Sequence, residues 1–555
     1  MISLFDTGAH PPCPDPFNLA EYVLYQGAAK ALAMTVPRTG PETGEETGQT
    51  TATAPDSKVA VQQIGTKQAG TTQNGLAEPD TTLTYGALRQ AVRATGTGLR
   101  QAGVTAGDRV LLRLGNTVDF PIAYLGAIAI GALPVPTSAQ LTEPEVQRIF
   151  DELAPVAVLC ADDVPCPPHP RQIPLEQLRA MRDLPPCDFK HANPDRPAYL
   201  VYTSGTSGRP RAVVHAHRAI WARQMMIRDW YDLRPTDRLL HAGAFNWTFT
   251  LGTGLMDPWS VGATAVIPQA GLNPAHLPDC LSASEATLFA AAPGVYRKAL
   301  QATQWPDLPH LRHGLSAGEK LSETLAQRWR DITNCAIYEA FGMSECSTFL
   351  SARPGRMVTA GALGWPQQGR RVAILDADGA PTPAGTAGTI AVAATDPGLM
   401  LGYFDAKTSA PTPIATDWFV SGDRGQMAED GQITYLGRED DMMNAGGFRV
   451  SPQEVERVLQ GCPGLQSIAV AQVEIKEDTR IIVAFFTADD DHTAGPDGED
   501  VTKGRLADFA NANLARYKQP RAYLRVPALP TGPNGKLLRR ALPALFLSSS
   551  QRTPT

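Results

Sequence analysis

The 555-residue sequence predicts an α/β protein in two unequal parts. The large N-terminal domain is expected to hold mixed and parallel sheets flanked by helices. The C-terminal domain is expected to be small, mobile and α+β. Three observations carry this expectation. Helical and strand-like segments alternate through the first part of the chain. The pattern then changes to one helix, two adjacent strands and another helix. Between the two lies Gly437-Arg438-Glu439-Asp440-Asp441, polar and glycine-led, which reads as a hinge.

The elements follow in order. Residues 39–80 are rich in Thr, Gly and Gln and poor in large apolar side chains, the composition of a flexible surface insertion. Tyr85 to Gly103 spaces Leu88, Val92 and Leu99 at helical intervals. Arg109 to Leu114 reads as a strand, Phe120 to Ile130 as a helix, and Val156 to Cys160 as a strand. Later, Ser451-Pro452-Gln453-Glu454 reads as a capping box with Pro at the first helical position, opening a helix to about Gln460. Ser467 to Val473 and Arg480 to Phe486 read as strands, and the region near Arg505 to Leu514 as a helix. The tail after Phe546 is Ser/Thr/Pro-rich and is expected to fray. The division is therefore 1–437, a hinge at 438–441, and 442–555.

Composition excludes several functions. The net charge of −7 gives no whole-chain attraction for nucleic acid or an acidic membrane. The eight cysteines form no C-x-x-C pair, which argues against zinc or redox motifs and for the reduced thiols of a cytoplasmic protein. Met1 to Pro12 lacks a basic region and carries Asp6, unlike a signal peptide. The most apolar stretch, Tyr124 to Pro136, is too short for a membrane span. Small-molecule partners are expected, with neither nucleic acid nor membrane, and a monomer or homodimer.

The strongest local signal is Tyr202-Thr203-Ser204-Gly205-Thr206-Ser207-Gly208-Arg209-Pro210-Arg211. It follows Ala198 to Val201, which reads as the end of a strand. Glycines let backbone approach a ligand closely, while hydroxyls, backbone N–H groups and two guanidiniums suit phosphate oxygens. No Lys-Ser/Thr pair closes it, so it is not a Walker loop. Alone, such a run is also compatible with a polar surface turn.

The chain here resembles the adenylate-forming superfamily, whose typical loop reads Y-T-S-G-T-T-G-x-P-K-G. Arg211 and Ala212 stand where that loop has Lys and Gly. Arg keeps the cation and changes its geometry. Five further segments match in order. Ser316-Ala317-Gly318-Glu319 resembles the adenine-flanking segment. Tyr338-Glu339-Ala340-Phe341-Gly342-Met343-Ser344-Glu345 resembles Y-G-x-T-E. By that match Phe341 stacks on adenine, Ser344 contacts the α-phosphate and Glu345 ligates Mg²⁺. Trp418-Phe419-Val420-Ser421-Gly422-Asp423 resembles W-x-x-T-G-D, implying that Asp423 accepts from the ribose hydroxyls. Gly437 to Asp441, then Gly446-Gly447-Phe448-Arg449, resembles the hinge and thiol tunnel. That match puts Arg438 on the nucleotide, Asp440 at the hinge and Gly446 and Gly447 along the coenzyme A arm. Asn444 stands where family members often have Lys. Leu529 to Arg540 resembles P-x-x-x-x-G-K, implying that Lys536 bridges the acid carboxylate and the α-phosphate.

The resemblance implies an AMP-forming acyl-CoA synthetase of benzoate or short- to medium-chain type, using ATP, Mg²⁺ and coenzyme A. A carboxylate is a poor acyl donor; attack on the α-phosphorus makes acyl-AMP, whose AMP can leave when the thiol attacks. The acid pocket is expected around Phe245, Asn246 and Trp247, with Phe245 lying by resemblance between nucleotide and acid. Peptide-synthetase adenylation domains often place Asp after that Phe to pair an α-amino group; Asn246 forms no such ion pair. A compact aromatic, cyclic or short branched acid is therefore expected. Two rival readings remain at this point: a ligase that loads a carrier protein in trans, and a catalytically silent nucleotide-binding regulator.

Overall fold

The computed structural model describes residues 1–37, 81–203, 211–438, 443–445, 448–476, 479–488, 501–514, 516–532 and 536–550. The expected insertion at 39–80 lies outside the described residues. So do Ser204, Gly205, Thr206, Ser207, Gly208, Asp440, Gly446 and Gly447.

The segments expected to meet adenine, ribose and acid lie on or next to one large sheet, fourteen strands wide among the described residues, whereas Thr203 and Arg211 belong to a second sheet. Its parallel run is Leu32–Val36, Thr264–Val266, Arg238–His241, Leu288–Ala291, His313–Ala317 and Ile337–Met343. These strands are covered on both faces, so Leu288–Ala291 is buried at every position and reads as an unbroken apolar run. Tyr296 and Trp329, from helices Pro293–Ala299 and Glu323–Thr333, pack on one face. Trp230, Tyr231 and Phe249 pack on the other. After Ile337–Met343 the pairing turns antiparallel, through Ser347–Ser351, Ala362–Pro366, Ile433–Arg438, Trp418–Met427, Gly388–Ala393, Arg371–Leu375 and Leu4–Asp6.

Two four-stranded sheets complete this part. One is parallel, in the order Leu133–Pro136, Arg109–Arg113, Ala157–Cys160, Gln172–Pro174. The other is antiparallel, in the order Ala410–Thr412, Gly402–Asp405, Arg211–Ala216, Pro197–Thr203. The helix expected from Tyr85 runs Tyr85–Gln101, with Thr84 Oγ1 accepting from the Ala87 amide at 3.2 Å and Leu88, Val92 and Leu99 buried. The apolar stretch at 124–136 divides between helix Asp119–Ala129 and strand Leu133–Pro136. Among the described residues, no helix is long and apolar enough to cross a membrane.

Beyond residue 442, Leu465–Lys476 and Thr479–Ala488 pair antiparallel, and Ala522–Arg525 adds in parallel. Helices Pro452–Leu459 and Val501–Asn513 pack on one face. Two expectations are corrected here. Ser451 Oγ accepts from the Glu454 amide at 3.3 Å, but the Glu454 carboxylate pairs with Lys518 instead of closing the capping box. The tail does not fray at Phe546: helix Leu542–Ser550 continues through it, because Leu542, Leu545 and Phe546 share one helical face and dock on the sheet.

Four buried histidines make stability pH-dependent. Burial lowers the pKa of His215 and His313 to about 4, and of His217 and His241 to about 3. His217 Nδ1 accepts from the Leu19 amide at 3.1 Å, a role only the neutral ring can fill. Each ring stays neutral when folded and gains a proton on unfolding below about pH 6.5, so the unfolded chain binds more protons. Stability is therefore expected to fall as pH drops from about 6.5 towards 4, by up to about 1.4 kcal/mol per pH unit per histidine. Apparent melting temperatures across that range check this, and His217→Asn should flatten the slope.

Candidate active site

The turn between strands Ile337–Met343 and Ser347–Ser351 carries Ser344 and Glu345. Ser347 holds a left-handed φ of 62°, and the pairing shifts register between Phe341 and Gly342. Such a turn needs outside support, and four groups supply it. His215 Nε2 donates to the Ser344 carbonyl at 2.7 Å. The Met400 amide donates to the Glu345 carbonyl at 2.7 Å. Arg223 donates to Ser347 Oγ. Arg370 donates to the Thr348 carbonyl at 3.1 Å.

Both arginines are buried and paired. Arg223 Nε and Nη2 grip the two Asp257 oxygens at 2.6 Å each, and Tyr231 Oη donates to the same carboxylate at 2.8 Å. Arg370 Nη1 meets Asp396 Oδ1 at 2.6 Å. A bidentate guanidinium–carboxylate pair fixes orientation as well as charge. The turn is thus clamped from two sides by groups that cannot drift into solvent.

Glu345 faces the strand pair next to the predicted phosphate loop. Tyr403 Oη donates to Glu345 Oε1 at 2.7 Å. Burial, then the adjacent Glu345 carboxylate, push the Tyr403 hydroxyl up, so it remains a donor. The Arg211 guanidinium lies 3.5 Å from the centroid of the Tyr403 ring, a close cation–π contact. Thr203 and Arg211 face each other across the strand pair and so flank residues 204–210. Arg211, Tyr403 and Glu345 form one continuous contact.

The adenine and ribose elements lie on neighbouring strands. Gly318 has a φ of +94°, and an added Cβ would sit 2.6 Å from the Trp247 ring, so only glycine fits there. Glu319 is half-buried; burial raises its pKa, and the charges of Arg297 and Lys536 oppose the rise. Glu339 accepts from Lys320 Nζ at 2.8 Å and from the Leu321 amide at 2.9 Å. Its carboxylate thereby ties down the segment after Gly318. Ala340 is buried opposite Ala317. Phe341 packs tilted on Tyr435 at 5.2 Å and edge-on to Phe349 at 5.6 Å.

Tyr435 in turn donates to Asp423 Oδ1 at 3.2 Å, and Arg438 Nη1 lies 3.4 Å from the same oxygen. Asp423 and Arg438 are register partners on strands Trp418–Met427 and Ile433–Arg438. Asp423 is only 5% exposed, and burial raises its pKa; Arg438, Tyr435 and Lys536 oppose that rise, and Glu345 adds to it. Lys536 thus acts on both Asp423 and Glu319. Its own side chain is exposed, and its carbonyl accepts from the Gly532 amide at 2.7 Å.

The expected acid-pocket residues separate. Phe245 is 3% exposed, 5.1 Å from the Phe120 ring, and its amide donates to Asn116 Oδ1 at 3.1 Å. Asn246 is half-exposed. Trp247 lies between Gly318 and Phe249, edge-on to the latter at 5.5 Å. Sequence reasoning missed Tyr403, Tyr435, His215 and the pairs Arg223–Asp257 and Arg370–Asp396. Only the tyrosines, beside Gly402 and within the strand before Gly437, had a local signal.

Residues 49–404 match the family model described as AMP-binding enzyme, and residues 454–536 match AMP-binding enzyme C-terminal domain. The chain is 31% identical over 481 residues to a benzoate–CoA ligase of Thauera aromatica, covering 82% of this chain and 89% of that protein. It is 28% identical over 490 residues to a 3-hydroxybenzoate–CoA ligase of Aromatoleum sp. (strain CIB), covering 84% and 92%. Its fold matches the crystal structure of the anthranilate CoA ligase AuaEII with anthranoyl-AMP at a TM-score of 0.80, with 23% identity over 97% of this chain and 99% of that one.

Proposed function

Because the chain belongs to the AMP-binding enzyme family and is an ATP-dependent acid–CoA ligase, we propose that Lys536, Glu345 and Ser344 carry its adenylation step and that its acid is a compact aromatic carboxylate. The observation that carries the first part is the reach of one cation: Lys536, from the C-terminal part, acts on both Glu319 and Asp423 of the N-terminal part. Two anions, the acid carboxylate and the α-phosphate, repel each other and must be held together for attack. A flexible ammonium delivered between the acid side at Gly318-Glu319 and the ribose side at Asp423 supplies that attraction.

The remaining residues take distinct tasks. Thr203, Ser204, Gly205, Thr206, Ser207 and Gly208 surround the phosphates, with Arg211 at their rim. Gly318, Glu319, Glu339, Ala340, Phe341 and Gly342 frame the adenine. Asp423, whose pKa burial raises while Arg438, Tyr435 and Lys536 oppose the rise, accepts from the ribose. Glu345 suits Mg²⁺ brought with ATP: that ion takes one or two carboxylates plus phosphate oxygens. Mg²⁺ there would neutralise phosphate charge.

Thioester formation needs the ammonium withdrawn and a thiol admitted. We assign 1–437 and 442–555 as the two bodies, with Asp440 at the pivot and Gly446 and Gly447 along the pantetheine path; the two matched segments, 49–404 and 454–536, support this division. The eight free cysteines fit a reducing, cytoplasmic setting.

For the acid, Trp247 against Gly318 supports a flat substrate, and two relatives named for benzoate and 3-hydroxybenzoate support an aromatic one. Purified protein with ATP, Mg²⁺ and a panel of acids tests both parts. Pyrophosphate release with an aromatic acid, and thioester once coenzyme A is added, is the expected result. Release only with aliphatic acids would overturn the choice of acid.

A further inference from the structure

Three hydrogen-bonding side chains on one short segment are buried without any partner among the described residues. His241 is 2% exposed, and neither ring nitrogen is hydrogen-bonded. Thr248 and Thr250 are 6% and 0% exposed, and each Oγ1 is unpaired. Leaving such groups dry costs on the order of 1–3 kcal/mol apiece. Native interiors hold a few such groups per hundred residues, so three on one short segment call for an explanation.

Their placement supplies it. His241 ends a parallel strand, and ligands of α/β sheets bind beyond the carboxyl ends of such strands. Its ring stands edge-on to Phe249 at 4.4 Å, and Phe249 meets Trp247. Thr250 converges on the same spot: a Cβ added to Gly243 would collide with Thr250 Oγ1 and lie 3.0 Å from His241 Cε1. On the same sheet face, Ala290, Ala317 and Ala340 present small side chains on the next three strands.

We infer that His241, Thr250 and Thr248 form a polar recess behind Trp247 and Phe249 that receives a hydroxyl or amino group on the ring of the acid. This rests on the aromatic-acid reading above. A neutral imidazole offers one donor and one acceptor, and each threonine hydroxyl offers both. Burial keeps the ring neutral near pH 7. A site built to hydrogen-bond a substituent rejects the analogue without it more strongly than an apolar pocket rejects a missing methylene.

The test is kcat/KM for benzoate and for the ortho, meta and para isomers of hydroxybenzoate and aminobenzoate. Wild-type enzyme is expected to prefer at least one substituted isomer over benzoate by about tenfold or more. His241→Leu and Thr250→Val should each lower that ratio by about tenfold. The ratio is taken within one preparation, so partial misfolding cancels. Equal use of benzoate and all six isomers, or ratios unmoved in both variants, would overturn the inference and leave the aromatic reading intact. Turnover of no aromatic acid would overturn both.

Discussion

Lys536→Ala is expected to lose adenylation by about 10²–10³-fold, the scale of removing one preorganised charge-stabilising group, while still converting supplied acyl-AMP and coenzyme A to thioester. The basis is the charge this residue places on Glu319 and Asp423 at once. Among the described residues the ammonium makes no hydrogen bond or ion pair. The loop is closed by backbone: Gly532 donates to Lys536, Leu538 donates to Pro530 at 2.8 Å, and Thr531 bridges Leu537. Truncation at Cβ therefore leaves the scaffold standing. Lys536→Arg should recover part of the rate, since the cation remains and its reach changes. Pyrophosphate release reports the first half-reaction, and free thiol consumption from acyl-AMP reports the second. Equal loss in both would contradict the assignment.

Asp257→Ala is expected to destabilise the protein by about 3–5 kcal/mol, because it strands the Arg223 guanidinium in the interior. Arg223 is 4% exposed and Asp257 fully buried, so no water replaces the lost carboxylate oxygens. Tyr231 Oη would lose this acceptor too and keep only Thr253 Oγ1, at 2.8 Å. A denaturant midpoint measures the loss. The double variant Arg223→Leu/Asp257→Leu separates two roles. Removing both charges should restore much of the stability. It also removes the contact from Arg223 to Ser347, two residues after Glu345. The double variant should therefore still need more Mg²⁺ for half-maximal pyrophosphate release than wild type. Recovery of both properties would make the pair purely structural.

What the sequence disclosed follows from how local each signal is. Helix Tyr85–Gln101 was legible because its apolar spacing and its neighbours are all within one segment. The small domain's strands were legible but short by one to three residues at their ends, since strand limits are set by pairing partners. A true capping box at Thr142 and Glu145 went unread, though Thr-Glu-Pro-Glu spells it out. At the site, the ordered motifs pointed to Glu345, Asp423 and Lys536, each within its own short run. The clamps around Glu345 were illegible. Arg223 and Asp257 are 34 residues apart, and Arg370 and Asp396 are 26 apart. An ordinary charged residue gives no sign that it will be buried until its partner is known.

The ladder joining Asp423 to Arg438 has a consequence for the catalytic cycle. The residue assigned to hold the sugar and Arg438, the first residue of the proposed pivot segment, are rungs of the same ribbon. Torque applied by a swinging C-terminal body would enter at Arg438 and be absorbed by a rigid, many-stranded plate. The AMP moiety should then stay parked while everything beyond it turns, so that the activated acyl group waits in place for its thiol.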